Sequence, residues 1–217
     1  TIINSSTAAN IVVDNNTSFP NAGVILIENE FISYTGKLNG TTFTGITRHT
    51  NGTSGTAHTA GVYVSSTQVS PPATRTAVNF NATDFSNGIS LLNPDANGIS
   101  NTIKITNAGL YNMQYSVEIF SLDSGYDNVV IWFVLNGTDI TASASTTTVP
   151  PKHTQFPGTV ILTMNLFQQL SANAEIRIYW STDSGNSLLV TGPPNSGSVH
   201  PSSPAVIFTI NQIALAS

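Results

Sequence analysis

Apolar and polar residues alternate most regularly between Ile103 and Phe120. Tyr111, Met113, Tyr115, Val117 and Ile119 fall on one parity, and Asn112, Gln114, Ser116 and Glu118 fall on the other. This is the period of two of a strand with one face buried, whereas a helix would scatter the same residues around its axis. Upstream, Ile103 and Ile105 alternate with Lys104 and Thr106, and Asn107-Ala108-Gly109 supplies turn residues between two extended pieces.

The same reading places a hairpin at residues 23–36, where two β-rich apolar runs flank the acidic break at Glu28-Asn29-Glu30. Residues 41–47 carry Phe43 and Ile46, and Gly61-Val62-Tyr63-Val64 closes the segment after a Gly/Thr-rich loop. Residues 1–66 are therefore expected to form a small β module, with residues 1–13 either its first strand or an arm docked on a neighbour. Pro71-Pro72, set among Ser, Thr and Ala, predicts a semi-rigid linker over 67–76. Residues 77–217 then offer β runs at 78–80, 88–92, 103–120, 129–135, 160–167, 175–180, 187–190 and 205–213, a pattern that fits a jelly-roll sandwich. Both parities of 129–135 are apolar, so both faces should be covered, with another subunit a candidate for one of the covers. Asn136-Gly137 after it is a strong hairpin signal. The best helical candidate, 167–174, is short and interrupted by Ser171 and Asn173, so the fold class expected is all-β.

Composition narrows the function. Of 217 residues only 8% are charged, well below the roughly 25% of an ordinary domain, so Thr, Ser, Asn and Gly supply the polar surface. A net charge of -5 with six Lys and Arg argues against a phosphate backbone as partner. No apolar run reaches the roughly 18 residues of a membrane span, and the first residues lack a signal-peptide pattern, so neither nucleic acid nor membrane is an expected partner. With no cysteine there is no disulfide or thiolate site.

Candidate chemistry is sparse. His49, His58, His153 and His200 sit in loops without metal-ligand spacing. Glu28 and Glu30 share a parity, but across a turn they read as a solvated edge rather than an acid/base pair. A pairing of Glu30 with Arg48 would pin the Gly/Thr loop. The run 123–128 gathers oxygen ligands, yet lacks the spacing of a calcium loop and suits an ordinary turn. No nucleophile elbow, P-loop or dinucleotide fingerprint is present, so no catalytic residue, cofactor or metal is expected. The Asn-x-Ser/Thr triplets follow from composition, and glycosylation is discounted. Trp132, Trp180, Tyr179 and Tyr126 suit core or interface packing, with a sugar platform as the alternative. Residues 145–157 and 191–204 read as variable surface loops or inter-subunit straps.

Two resemblances add to this. The run 23–35 with Phe43-Thr44-Gly45-Ile46-Thr47-Arg48, Gly52-Thr53, His58, Gly61 and Val64 resembles a small β module of tailed-phage structural proteins. The likeness implies architectural roles for Glu30, Tyr34, Arg48 and His58. Asn97-Gly98, Ile103-Lys104-Ile105, Gly109-Leu110-Tyr111, the run ending at Asn136-Gly137 and the Phe208 strand resemble the jelly roll of tumour necrosis factor and the complement globular heads. That likeness implies a homotrimer, with Tyr111, Met113, Tyr115, Trp132, Val134 and Phe208 as interface candidates. The function expected is a non-enzymatic virion protein, a trimeric capsid decoration or cement protein at local threefold positions on the capsid surface. Its partners would be its own copies, the major capsid protein and neighbouring decoration trimers. The alternatives are a glycan-binding receptor tip of a tail or head fibre, or a soluble trimeric lectin-like module.

Overall fold

The alternating run becomes a 13-residue strand, Gly109–Ser121, in which every odd-numbered residue is buried. It is the axis of the computed structural model, which describes residues 10–51, 53–92, 98–121, 123–154, 156–191, 201 and 203–215. Residues 1–9 of the expected arm, Gly52, Asn97 and most of the 191–204 loop lie outside the described residues. Every regular element among the described residues is a strand: β1 (Asn10–Val12), β2 (Gly23–Ile27), β3 (Glu30–Tyr34), β4 (Gly36–Leu38), β5 (Thr42–Thr44), β6 (Thr47–Thr50), β7 (Val64–Val69), β8 (Thr76–Ala77), β9 (Ile89–Leu91), β10 (Ile103–Ile105), β11 (Gly109–Ser121), β12 (Asp127–Leu135), β13 (Thr138–Asp139), β14 (Ser145–Val149), β15 (Gly158–Leu170), β16 (Glu175–Thr182), β17 (Ser187–Val190) and β18 (Val206–Leu215).

These strands build an antiparallel three-stranded sheet, β1-β5-β4, and two larger sheets. One large sheet runs β13-β12-β16-β10-β9, with β14 also on β12 and β8 also on β16. The other runs β15-β11-β17-β7-β2-β3-β6, with β18 also on β11. The main core lies between the large sheets. Tyr111, Met113, Tyr115, Val117 and Ile119 of β11 meet Ile131, Phe133, Ile176, Ile178 and Trp180 of the facing sheet, all at 1% exposure or less. At about 25 cal/mol per Å² of apolar area, this burial is the main force closing the sandwich.

The turn at Asn107-Ala108 does not make a hairpin. β10 pairs with β9 and β16, while β11 pairs with β15, β17 and β18, so the chain crosses here from one sheet to the other. The Tyr111 hydroxyl donates to the Asn107 carbonyl at 2.8 Å and ties the crossing to the long strand. By contrast, Asn136 and Gly137 take φ of +49° and +83° and join β12 to β13 as a two-residue hairpin.

Residues 67–69 of the expected linker belong to a strand, and residues 70–75, with Pro71-Pro72, run between β7 and β8. β7 covers its first residues and lies between β17 and β2, so the N-terminal module and the sandwich share one continuous sheet. The run Ser65-Ser66-Thr67-Gln68 hid this strand, because hydroxyls replaced the alternation of apolar residues. β2 and β3 bury both faces. Ile25, Ile27, Ile32 and Tyr34 pack with Ile11 and Phe43 in a small separate core. Val24, Leu26 and Phe31 pack on the other side with Leu188, Val190, Val69 and Phe120. The 1–66 and 77–217 units are thus spliced by β7 and β17. β1 pairs with β5 of its own module, so residues 10–12 act as a strand of that module. Residues 145–149, expected as loop, form β14 on β12.

Candidate functional site

Glu30, Arg48 and His58 are brought together. A two-residue turn with φ of +53° at Glu28 leads into β3, and Glu30 at its start is fully buried. Its carboxylate accepts from Arg48 Nε at 2.5 Å and from Arg48 Nη2, and it meets His58 Nε2 at 2.8 Å. The backbone N–H groups of Thr56 and His49 also donate to it, at 3.2 and 3.3 Å. Arg48 Nη2 donates to the Thr56 carbonyl at 2.5 Å, and His58 Nδ1 lies 2.6 Å from Glu28 Oε2. Burial pushes the Glu30 carboxyl up, but the hydrogen bonds from Arg48, His58 and the two backbone amides outweigh it and hold it at about 2. The node fastens Arg48, His49, Thr56 and His58 onto β3, and its centre at Glu30 is sealed from solvent. It corrects the expectation of a solvated carboxylate edge, since of the two acids only Glu28 keeps an exposed side chain. Tyr34 stands apart, with its ring 4.6 Å from Phe43 and its hydroxyl donating to Pro20 O at 2.9 Å.

The residues expected at a subunit interface are used within the chain. Tyr111, Met113 and Tyr115 are at most 1% exposed, and the Tyr115 hydroxyl donates to Ile131 O at 3.2 Å. Val134 is 1% exposed, and half-buried Phe208 packs against Phe80 and Phe133. Trp132 lies on the outer side of the other sheet, stacked on Tyr179 at 6.1 Å, with its Nε1 donating to Asp139 at 2.9 Å. Arg75 caps this platform 4.3 Å from the Tyr179 ring and pairs with Asp139 at 2.7 Å. The apolar parity of β11 turned into its own core, which is where a half-buried strand first spends its apolar residues.

The outward parity of the long-strand sheet has a different character. Ile161 and Phe167 of β15 and Ile207 and Ile213 of β18 are each more than half exposed. They flank the outward Asn112, Gln114, Ser116 and Glu118 of β11. β15 and β18 contain no charged residue, and Glu118, the one charge on β11, accepts from Ser203 Oγ at 2.7 Å.

Asp127, which the sequence marked only as part of a turn, is a second buried carboxylate. It accepts from Thr182 Oγ1 at 2.7 Å, from Ser184 N at 2.9 Å and from Ser187 N at 3.0 Å. Burial raises it, and these donors together with Asp183 hold it well below the usual carboxylate range. It anchors the 182–187 turn ahead of β17. Beside it, where the module meets the sandwich, lies an open cleft of about 440 Å³ lined by Asn29, Thr53, Asp123, Ser124, Lys152 and Asn186 among others. Among the described residues, no three His, Asp or Glu side chains gather so as to hold a metal ion. No protein-family model matches the chain, and no curated protein matches it.

Proposed function

We propose that the chain is a non-enzymatic virion structural protein of a tailed phage, which assembles as a homotrimer and decorates the capsid at its local threefold positions. The observation that carries the assembly is the outward face of β15, β11 and β18, where exposed Ile161, Phe167, Ile207 and Ile213 share a surface nearly free of charge. Identical chains of net charge -5 repel one another, and an uncharged apolar face is where copies meet with least repulsion. Where one part of this face meets a different part of it on the next copy, the contact is heterologous, and it closes a ring when its rotation is threefold. Successive elements change sheet from β10 to β11, β11 to β12, β14 to β15, β15 to β16 and β16 to β17, which supports a jelly-roll reading of residues 77–217. The phage placement rests on the sequence likeness of the N-terminal module. The sealed ionic node favours an architectural over a catalytic role, since no lone pair of Glu30 is left open to a substrate.

Cryo-electron microscopy of the particle tests the placement. Density for the chain on capsid threefolds is the expected result, and copies only at the tail or fibre tip overturn it. Native mass spectrometry tests the assembly, with monomer alone at micromolar concentration as the outcome that defeats it.

A further inference from the structure

The cleft between the module and the sandwich is unused by the assembly proposed above, and it is built differently from the apolar face. Asn29 comes from the β2–β3 turn, Thr53 from the loop pinned by Glu30, Asp123 and Ser124 from the β11–β12 loop, Lys152 from the β14–β15 loop and Asn186 from the turn anchored by Asp127. Two independently fastened turns therefore face each other across it. Its size, about 440 Å³, falls in the range of small-molecule sites.

The lining chemistry selects among ligands. A phosphate or nucleotide needs several cations or a nest of backbone N–H groups, and Lys152 is the one cation in a lining that also carries the Asp123 carboxylate. Phe31 is the one apolar side chain in the lining, and amide, hydroxyl and charged groups stand beside the exposed carbon of their own side chains, a mixture that suits a ligand with both polar and apolar faces. What remains is a neutral ligand rich in groups that both donate and accept. Asp123 is already oriented: Ser124 N donates to its Oδ1 at 2.7 Å, and Asn186 Nδ2 donates to its Oδ2 at 2.9 Å. Each carboxylate oxygen keeps a further lone pair, and the Asn186 side-chain amide that donates to Oδ2 carries an acceptor oxygen of its own, so the lining supplies more than one acceptor for hydroxyl groups. The Lys152 ammonium has no ion-pair partner among the described residues and supplies donors to ring or hydroxyl oxygens.

We propose that this cleft binds a neutral saccharide, with Asp123 and Asn186 accepting from vicinal hydroxyls and Lys152 donating to a sugar oxygen. The site is separate from the outward face of β15, β11 and β18, so saccharide binding and trimer formation succeed or fail independently.

Saturation-transfer NMR on the full chain, with methyl glycosides of glucose, galactose and mannose, N-acetylglucosamine and N-acetylneuraminic acid as probes, tests it. Transfer to the ring protons of at least one neutral probe is expected, falling about tenfold in affinity in both Lys152→Ala, which alters an exposed side chain, and Asp123→Asn, which keeps the shape and removes the charge, with an unchanged urea midpoint in each showing that the fold is intact. Tyr179→Ala, on the aromatic platform of the other sheet, should leave the signal unchanged. No transfer from any probe, transfer from N-acetylneuraminic acid alone, or a signal removed by Tyr179→Ala and retained in Lys152→Ala each overturns the proposal.

Discussion

Glu30 Oε2 and His58 Nε2 lie 2.8 Å apart with neither side chain open to solvent, and the same oxygen also pairs with Arg48. A buried acid paired with a buried guanidinium is costly to neutralise, because removing its charge strands Arg48 in a low dielectric. Glu30→Gln keeps the shape and removes the charge, so it is expected to destabilise the protein by about 3 kcal/mol. Glu28→Gln, at the half-exposed end of the same chain of contacts, should cost less than about 1 kcal/mol. Urea denaturation of the two variants checks this, and equal losses would show that the node is not centred on Glu30.

The same node sets an acid limit. Glu30 is held at about 2 in the folded chain, against an ordinary value of 4.5. Because the folded value is the lower one, its contribution is complete above pH 4.5 and is lost as pH falls toward 2. Asp127 is shifted in the same direction and adds to the loss. The urea midpoint of the wild type should therefore fall steeply across this window, and that of Glu30→Gln should fall less. Parallel pH profiles for the two proteins would contradict the assignment.

The sequence made the long strand, the hairpin at 23–36 and the Asn136-Gly137 turn legible because each has a local cause, namely period-two alternation or a turn that requires positive φ. β7 and β14 escaped notice because Ser65-Ser66-Thr67 and Ser145-Thr146-Thr147-Thr148 carry no hydrophobic period, and a sheet partner decides their state. The parity of Tyr111, Met113 and Tyr115 was visible, but periodicity says only which residues share a face, not whether that face meets the chain's own core or a partner. The Glu30–Arg48 pairing was legible, but the His58 and backbone donors that bury Glu30, and the Thr182, Ser184 and Ser187 donors of Asp127, lie 19 to 60 residues away and have no local signature. The cleft depends on five separate loops and has no local signature.

Gly109 begins β11 where β18 crosses closely. A Cβ there would sit 2.4 Å from both the Ala214 carbonyl oxygen and the Gln212 side-chain nitrogen. The side chain can move, but the carbonyl belongs to the paired backbone. Gly109→Ala is expected to cost roughly 1–3 kcal/mol, by the general cost of overpacking. Amide exchange should accelerate along β18 more than along β15, and uniform acceleration would mean that the strain is not taken up at the β18 edge.

The shared sheet predicts one cooperative unit. Phe31 and Val24 cover Leu188 and Val190 of β17, and β7 occupies the outer edge of that strand. Residues 77–217 expressed alone lose this cover, so they should bind a hydrophobic dye and melt lower than the full chain. The full chain should show a single calorimetric transition. Two separated transitions, or a 77–217 fragment as stable as the whole, would show that the module and sandwich are joined without being coupled.

The two parities of the long-strand sheet should respond in opposite ways to substitution. Tyr115 is completely buried and hydrogen-bonded, so Tyr115→Ala is expected to cost about 4 kcal/mol in folding through the cavity and the lost bond, whatever the assembly state. Phe167 and Ile207 are more than half exposed on the outward face, and an aspartate at either position meets solvent in the free chain. Phe167→Asp and Ile207→Asp should therefore leave the circular dichroism and urea midpoint of the dilute monomer almost unchanged. In a threefold assembly the same change brings like charges together on a desolvated surface. Sedimentation should then show association weakened by roughly a hundredfold, about 2.7 kcal/mol. Association that is the same in both variants as in the wild type would place the proposed subunit contact on some other face of the molecule.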